Sequence, residues 1–334
     1  MPAENPQRPP FVPTTLYVEV STECNLRCKH CHMWRSTKGP QALTTDEKIR
    51  VIREFGAMAP GGGVVFTGGE PFKEADELFT LCTVGRSLGL RTLTNTNGTY
   101  CDERTLERTA AYGPDVVVVS VDSHIERTHD FSRGVPGTYR AALEAIARIV
   151  DLRESTCQRS PVVYVSAILC ELTLFDAPEL VDFVRGLGVN GITFQMLQPT
   201  FMLSGDGDRF FDQNWFQDSS RAKQALRCLA EKLGSDDFVL LSPEDFYWME
   251  VYIDNPTMLP LPVCGSHERN LWIDMYGESQ MCSYMREVTG GRTLGNIRER
   301  SLAELLTSGF AQEARDIMSS CTRACGMLNC HRKR

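Results

Sequence analysis

Three cysteines follow directly after a short β-rich segment, in the spacing Cys-x3-Cys-x2-Cys. They are Cys24, Cys28 and Cys31, and their thiolates on one tight loop can bind three irons of a four-iron cluster. The fourth iron then has no protein ligand, and an open metal position permits chemistry because a substrate or cofactor can bind there. A closed zinc site is the alternative, in which His30 or His32 supplies the fourth ligand.

A glycine pair followed by an acid ends the next β-rich segment, in residues 66–71. Gly68 and Gly69 allow the backbone to approach a ligand closely, and Glu70 provides an acceptor for an ammonium group. Parallel strands of a curved sheet present the loops after their carboxyl ends on one face. We therefore expect this segment and the cysteine loop to form one site.

Alternating β-rich and helical patterns predict the frame that positions these loops. The run DVVVVSV at residues 115–121 is typical of a buried strand in a parallel sheet. Six strands are predicted, over residues 15–21, 63–66, 91–96, 115–121, 162–169 and 191–196. Helices are predicted between them, over residues 45–58, 74–88, 103–112, 138–152 and 178–187. This alternation indicates an α/β fold, a partial (β/α)6 barrel, although an open sheet would give the same pattern.

The cysteine loop and the Gly-Gly-Glu-Pro segment at residues 68–71 together resemble the signature of radical S-adenosylmethionine (SAM) enzymes. The resemblance implies a 4Fe-4S cluster on the three cysteines, with SAM bound to the open iron through its amino and carboxylate groups. It further implies that an electron from the cluster cleaves the C–S bond of SAM, and that the resulting 5′-deoxyadenosyl radical abstracts hydrogen from the substrate. A flavodoxin- or ferredoxin-type protein is the implied electron donor.

Polar residues after the third and fourth strands also match this family. Asn97 lies in a Thr-Asn-Gly turn, and Ser120 and Asp122 form a Ser-x-Asp pair. The resemblance implies that these residues line the ribose and methionine end of SAM. The segment HDFSRG at residues 129–134 resembles a further family segment, with a structural loop as the alternative.

Three further candidates complete the predicted SAM site. His30 occupies the family's usual aromatic position before the third cysteine, where its backbone would face adenine. Ser166 on the fifth strand and Gln195 on the sixth are predicted SAM contacts. A buried polar group that is satisfied by backbone atoms explains either of these two residues equally well.

A second group of cysteines lies near the end of the chain, at Cys264, Cys282, Cys321, Cys325 and Cys330. The residues between the first two predict two short strands joined by a turn at Gly277. This region resembles the SPASM/Twitch extensions of radical SAM enzymes, which are small cysteine-rich α+β domains that hold auxiliary clusters. The cysteines are fewer than in a full SPASM domain, so one auxiliary 4Fe-4S cluster is expected. Its expected ligands are the first two and two of the last three, and a structural zinc is the alternative.

These patterns divide the chain into a flexible lead, a barrel, a connecting segment and an auxiliary domain, predicted over residues 1–13, 14–200, 201–254 and 255–334. The connecting segment is expected to line a substrate pocket over the open end of the barrel. Its candidate contacts are Asp206, Asp208, Glu244 and Tyr247, for which a solvated loop side chain is the alternative.

Composition limits the partners of the chain. Its 334 residues carry a formal net charge of −8, which argues against a nucleic acid partner. No stretch approaches the roughly 20 apolar residues of a membrane span. Because no secretion signal is present, we expect the cysteines to be reduced and the protein to be cytoplasmic.

The expected substrate is a small polar intermediate of antibiotic or other specialised biosynthesis, namely a sugar, an aminocyclitol or a nucleoside. The compact chain resembles the family members that tailor such molecules, and the 23 residues before Cys24 are too few for a leader-binding domain. Dehydrogenation, epimerisation and decarboxylation are the expected outcomes. A peptide maturase with a separate leader-binding partner is one alternative, and a non-catalytic zinc-binding module is the other.

Overall fold

The computed structural model describes residues 11–155, 161–198, 209–233 and 237–327 of the chain. Its main sheet begins with six parallel strands, β1 (Thr15–Ser21), β2 (Gly63–Gly68), β3 (Arg91–Thr96), β4 (Val116–Ser120), β5 (Val162–Leu169) and β6 (Gly191–Met196). The connecting helices are α1 (Thr45–Met58), α2 (Ala75–Ser87), α3 (Glu103–Tyr112), α4 (Glu126–Arg133), α5 (Thr138–Ser155) and α6 (Ala177–Arg185). Each strand pairs with the next one along the chain, which confirms the predicted α/β alternation.

The first half of the sheet shows why these segments fold as they do. Leu16, Val18 and Phe66 alternate with less buried residues along β1 and β2, and they are fully buried in a cluster with apolar side chains of α1 and α2. Helix α1 begins at a capping box formed by Thr44 and Glu47, which satisfies free backbone amides at its start. The opposite faces of the strands remain available for a binding site.

The sheet is curved into a partial barrel. Thr67 at the end of β2 and Gln195 on β6 line one cavity, although four strand spacings separate these strands. A flat sheet would place the two strands about 19 Å apart. The curvature therefore brings the carboxyl ends of the six strands around a common space, as the sequence predicted.

Three helices follow the barrel, α7 (Arg209–Asn214), α8 (Ser219–Leu233) and α9 (Pro243–Asp254). Buried side chains of α8 and α9 join those of β4 to β6 in one core cluster. The sequence predicts a pocket-lining segment over residues 201–254, and the structure shows that residues 243–254 of this segment form a helix. Ser242 and Asp245 form a capping box and Pro243 occupies the first turn, and all three residue types favour a helix start.

The C-terminal cysteine region continues the main sheet. After helix α10 (Ser266–Arg269), it contains the short strands β7 (Asn270–Ile273), β8 (Glu278–Gln280) and β9 (Gly295–Asn296). The predicted turn at Gly277 joins β7 to β8 as an antiparallel pair, with φ at +88°. The sequence did not predict that β7 also pairs with β1 in parallel, which extends the sheet to nine strands.

The remaining helices are α11 (Met285–Val288), α12 (Leu302–Leu306) and α13 (Gly309–Ser319). The sequence predicts one helix over residues 302–317, whereas the structure shows two. Ser308 separates them because its side chain accepts a hydrogen bond from the amide of Ala311 and so starts a new helix. Within the part of the chain that the structure describes, no helix has both the length and the apolar character to cross a bilayer.

Candidate active site and auxiliary cysteine site

One cavity at the carboxyl ends of the strands brings most of the predicted cluster and SAM residues together. It has a volume of about 240 Å³. The predicted residues that line it are Cys24, Cys28, His30, Cys31, Gly68, Gly69, Glu70, Asn97, Ser120 and Gln195. Further polar residues of the lining include Trp34, Thr67, Thr96, Arg133 and Gln198.

A close approach between two loops requires the glycine pair of this cavity. A Cβ atom at Gly68, where φ is +123°, would lie 2.0 Å from the carbonyl oxygen of Ser21, and one at Gly69 would lie 2.2 Å from that of Glu23. The amides of Gly69 and Glu70 donate hydrogen bonds to the same carbonyls at 2.6 and 2.9 Å. The glycines therefore fasten this loop to the backbone that leads into the cysteines.

Glu70 connects this loop to the end of β3. Its carboxylate accepts hydrogen bonds from the amide of Phe72 at 3.0 Å, the hydroxyl of Thr96 at 2.8 Å and the amide of Asn97 at 2.8 Å. Burial raises its pKa to about 7 despite these donors. Each carboxylate oxygen can accept two hydrogen bonds, so an ammonium group in the cavity still finds an acceptor on Glu70.

We expect Glu70 to lower the stability of the cluster-free protein as the pH rises. Its pKa is about 7 in the folded chain against 4.5 for an ordinary glutamate, so its stabilising effect is present below pH 4.5 and lost on passing pH 7. The difference between the two pKa values corresponds to about 3 kcal/mol in the free energy of unfolding. The free energy of unfolding in urea is compared between the parent and Glu70→Gln from pH 4.5 to pH 7. The difference between the two proteins measures the effect of Glu70, because the contributions of the other titrating groups cancel. A stability difference that does not change with pH would contradict the prediction.

Burial keeps the thiols of the cysteine loop protonated in the absence of a metal. It raises the pKa of Cys24, Cys28 and Cys31, and that of Cys28 to about 12. The guanidinium of Arg133 acts in the opposite direction on all three thiols. Cluster binding therefore releases protons, and Arg133 offsets part of the negative charge of the thiolates.

Asp122 lies behind the cavity wall, in a buried hydrogen-bonded cluster. Its carboxylate accepts hydrogen bonds from Arg133 at 2.6 Å, the hydroxyl of Ser132 at 2.8 Å and the amide of Ile168 at 3.2 Å. Burial raises the pKa of this carboxyl group, but the nearby cation of Arg133 outweighs it and the pKa falls to about 2. The sequence predicted a SAM contact for Asp122, whereas the structure shows it holding the arginine that lines the cavity.

The end of α4 supports the cysteine loop directly. The amides of Arg27 and Lys29 donate hydrogen bonds to the carbonyls of Arg133 and Ser132, at 3.2 and 2.9 Å. Gly134 ends the helix with φ at +72°, and a Cβ atom there would lie 2.1 Å from the carbonyl oxygen of Arg27. The segment that resembled a family loop is therefore a helix end that positions the cluster ligands.

Three of the predicted SAM residues have different positions relative to the cavity. Gln195 lines it, whereas Ser166 faces the same side of the sheet as its neighbour Ser120 but is not part of the lining. His30 lines the cavity and its Nδ1 lies 3.3 Å from the hydroxyl of Ser132. Burial lowers the pKa of His30 to about 4, so its ring is neutral at pH 7.

Unsatisfied donors in the cavity fit a ligand that is rich in acceptors. Trp34 Nε1, Gln198 Nε2 and Arg133 Nε are buried and have no hydrogen-bond acceptor among the described residues. Buried donors normally have a partner, and the carboxylate, ribose and adenine of SAM supply such acceptors. The donor set therefore fits SAM, and the three thiols beside it fit the cluster. No spacing pattern marked Trp34 or Gln198, whereas Arg133 lay in a segment that did resemble the family.

Four cysteines come together in the C-terminal region. Burial raises the pKa of Cys325, and the proximity of the Cys282, Cys264 and Cys321 thiols raises it further. The amide of Ser266 donates to Cys264 Sγ at 3.3 Å, as backbone amides often do at cluster ligands. Cys321 and Cys325 are thus the two late cysteines beside the hairpin pair.

The predicted ligand Cys330 lies outside the described residues. Within the described residues, no three Cys, His, Asp or Glu side chains converge closely enough to bind one metal ion.

Two of the predicted substrate contacts in the connecting segment, Glu244 and Tyr247, are not part of the cavity lining. Both are exposed on α9. Asp206 and Asp208 lie outside the described residues. Helix α9 instead contacts the cavity wall from behind, because the hydroxyl of buried Tyr252 donates to the carbonyl oxygen of Leu197 at 2.9 Å.

The chain is similar to several known proteins. Residues 18–184 match the radical SAM superfamily, and residues 264–331 match SPASM, an iron–sulfur cluster-binding domain. The AdoMet-dependent heme synthase of Methanosarcina barkeri is 33% identical over 135 residues, or 40% of this chain and 38% of that protein. The antilisterial bacteriocin subtilosin biosynthesis protein AlbA of Bacillus subtilis is 23% identical over 306 residues, or 87% of this chain and 58% of that protein. The chain thus spans less than two thirds of these relatives.

The solved structure of SuiB from Streptococcus suis bound to SAM shares the fold, with a TM-score of 0.70 at 14% identity. The match covers 94% of this chain and 73% of that one. Membership of the superfamily brings a 4Fe-4S cluster and SAM as cofactors, and the SPASM domain brings auxiliary iron–sulfur binding. The chain belongs to the radical SAM superfamily and is an enzyme of its SPASM-containing group.

Proposed function

We propose that this enzyme oxidises a small polar biosynthetic intermediate, namely a sugar, an aminocyclitol or a nucleoside, at the mouth of the cysteine cavity. The observation that carries the proposal is the cavity, which gathers three thiols, an arginine and several amide side chains at the strand ends. When bound there, the 4Fe-4S cluster and SAM supply the radical that removes a hydrogen atom from the substrate.

The residues of the cavity divide the binding tasks between them. Cys24, Cys28 and Cys31 hold the cluster, since their thiols lie together on the loop after β1. Arg133 provides a permanent cation for the carboxylate of SAM, and Glu70 provides an acceptor for its amino group. Both side chains are held by other buried groups, which preorganises them before SAM arrives.

The auxiliary cysteines favour oxidation over a redox-neutral outcome. A substrate that has lost a hydrogen atom completes a two-electron oxidation when it gives one electron to an acceptor and one proton to solvent. Cys264, Cys282, Cys321 and Cys325 are the ligands we assign to that acceptor. Tyr252 lies between the two regions, because its hydroxyl donates to the cavity wall, and burial together with the nearby groups of Tyr284 and Cys325 raises its pKa.

Amide side chains support the small polar substrate class. Asn95 at the end of β3, and Gln195 and Gln198 at the end of β6, line the cavity. Each amide presents both donors and an acceptor, which suits the hydroxyl and amino groups of a sugar or aminocyclitol. These amides therefore distinguish substrates by their polar groups and hydrogen-bonding pattern more than by their size.

A peptide side chain is the second candidate substrate. The observation that favours it is the match to AlbA, which covers both the barrel and the auxiliary domain over 87% of the chain. The name of that relative places it in the biosynthesis of a bacteriocin. A peptide would approach the same cavity from outside, so the residues assigned to the cluster and SAM are unchanged.

Fractionated cell extract tests the substrate class. The reconstituted enzyme is incubated with SAM, dithionite and either the small metabolites or the peptides of the extract, and 5′-deoxyadenosine is measured. We expect the small-metabolite fraction to accelerate its formation and to yield a product that is two hydrogen atoms lighter than its precursor. Cys28→Ala is the control, which should form no 5′-deoxyadenosine with either fraction. Acceleration by the peptide fraction alone would establish the second candidate instead.

A further inference from the structure

Arg133 places a buried positive charge beside the cluster ligands. Among the described residues it is the only arginine or lysine that lines the cavity, and it is 8% exposed. Its guanidinium group donates a hydrogen bond to the sulfur of Cys28, and its charge also acts on Cys24 and Cys31. A charge that is shielded from water acts strongly on its neighbours, because little solvent screens it.

Asp122 opposes this charge from behind the cavity wall. Its carboxylate accepts a hydrogen bond from the guanidinium of Arg133 at 2.6 Å, and its other oxygen accepts one from the hydroxyl of Ser132 at 2.8 Å. Asp122 is 1% exposed and does not belong to the cavity lining. The two side chains therefore form a buried ion pair of which only the cation lines the cavity.

The backbone fixes the ion pair relative to the cysteine loop. The carbonyl groups of Arg133 and Ser132 accept hydrogen bonds from the amides of Arg27 and Lys29, which both belong to that loop. These bonds join the end of α4 to the segment that carries the cluster ligands. The distance between the ion pair and the ligands is thus set by the fold and not by a mobile side chain.

Two histidines beside the ion pair are uncharged at neutral pH. Burial lowers the pKa of His30 and of His129 to about 4. Among the described lining residues Glu70 is the only acid, and burial raises its pKa to about 7. Within that part of the lining, Arg133 therefore carries the only charge that does not change near neutral pH.

An iron–sulfur cluster gains negative charge on reduction, so its potential depends on the charges and hydrogen bonds at its sulfur ligands. A cation beside a ligand favours the reduced state and raises the potential, whereas an anion lowers it. We propose that Arg133 and Asp122 together set the reduction potential of the cluster, with Arg133 raising it and Asp122 limiting the rise. The inference rests on the part of the proposed function that assigns the cluster to Cys24, Cys28 and Cys31, and it is independent of the substrate.

A cation with a counterion suits the two electron transfers at this site. Reduction of the cluster by an external donor becomes easier as the potential rises, whereas SAM cleavage becomes less favourable. An arginine that is paired with a buried carboxylate raises the potential by less than an unpaired arginine would. The ion pair is therefore a compromise between the two transfers.

Neutralising each member of the ion pair tests the proposal. The reduction potential is measured by a redox titration of the anaerobically reconstituted protein, followed by electron paramagnetic resonance. SAM and substrate are left out, so changes in their binding do not contribute. The variant Cys24→Ala/Cys28→Ala/Cys31→Ala provides the signal of the auxiliary cluster, which is subtracted. The potential does not depend on the fraction of chains that hold a cluster.

We expect Arg133→Met to lower the potential and Asp122→Asn to raise it. Each change should alter the equilibrium constant for one-electron reduction at least ten-fold, which is about 59 mV. Arg133→Lys keeps the charge, so its potential should lie closer to that of the parent than the potential of Arg133→Met does. Asp122→Asn/Arg133→Met removes both charges, and its potential should lie between those of the two single variants.

Glu77→Gln is the matched control, since it makes the same charge change in another buried ion pair. Glu77 pairs with Lys48 at 3.0 Å between α2 and α1, and neither residue lines the cavity. The potential of this variant should equal that of the parent.

Shifts of Arg133→Met and Asp122→Asn in the same direction would overturn the proposal, because a loosened or wetter loop moves the potential without regard to the sign of the lost charge. Unchanged potentials would also overturn it. If Arg133→Met holds no cluster, the direction of the Asp122→Asn shift decides alone. A parent protein without the subtracted signal would instead contradict the assignment of the cluster to the three cysteines.

Discussion

Replacing Cys24, Cys28 and Cys31 together by alanine is expected to abolish SAM cleavage and to leave about four irons per chain after anaerobic reconstitution. The three thiols line one cavity, so their removal takes every protein ligand from the first cluster. The thiols of Cys264, Cys282, Cys321 and Cys325 gather elsewhere and should keep their own cluster. Iron and sulfide analysis, together with 5′-deoxyadenosine assays, measures both effects in one preparation.

The control for this prediction is Cys228→Ala, since Cys228 is exposed on α8 and belongs to neither cysteine group. It should retain full iron content and full activity. Zinc without iron in the triple variant would show that the C-terminal cysteines form a structural metal site. The enzyme would then carry one cluster, and the proposed oxidation would lose its electron acceptor.

Asp122→Ala is expected to destabilise the cluster-free protein by about 3–5 kcal/mol, because it leaves a buried arginine without its counterion. Asp122 and Arg133 are 1% and 8% exposed, and the carboxylate also satisfies Ser132 and the amide of Ile168. The same change should reduce iron incorporation, since α4 holds the backbone of the cysteine loop through the carbonyl groups at its end. Urea unfolding and iron analysis measure the two effects.

A double-mutant cycle separates the ion pair from the other contacts of Asp122. Arg133→Met alone should also destabilise the protein, but Asp122→Ala/Arg133→Met should cost clearly less than the sum of the single changes. The pair keeps its contribution at neutral pH, since the folded pKa of Asp122 is about 2 and the stabilisation is lost only as the pH falls from 3.8 toward that value. Additive single and double effects would show that the pair does not act as a unit.

Local patterns in the sequence were sufficient to predict the six parallel strands and most of the helices between them. The predicted ranges 15–21, 91–96 and 162–169 coincide with β1, β3 and β5, since apolar runs bounded by turn residues form strands wherever helices cover them. The cluster loop and the glycine pair were found by spacing, because both are short segments whose chemistry depends on residues close in sequence.

Features that depend on distant contacts were not predicted. Helix α4 is short and polar, and it is positioned by the hydrogen bonds of Asp122 and His129 rather than by an apolar pattern. Trp34 and Gln198 become part of the site only when the sheet curves. The pairing of β7 with β1 joins segments at opposite ends of the chain, and no local pattern encodes such a partner.

The insertion of β1 between β2 and β7 has a consequence for any attempt to study the barrel alone. Truncation before Cys264 would remove β7 and leave the backbone amides and carbonyls along one side of β1 open to solvent. Exposed strand edges of this kind template pairing with other chains and promote aggregation. Since β1 leads directly into the cysteine loop, the truncated chain would aggregate at the strand that must present the cluster. The auxiliary domain thus also covers the strand edge next to the loop that holds the cluster ligands.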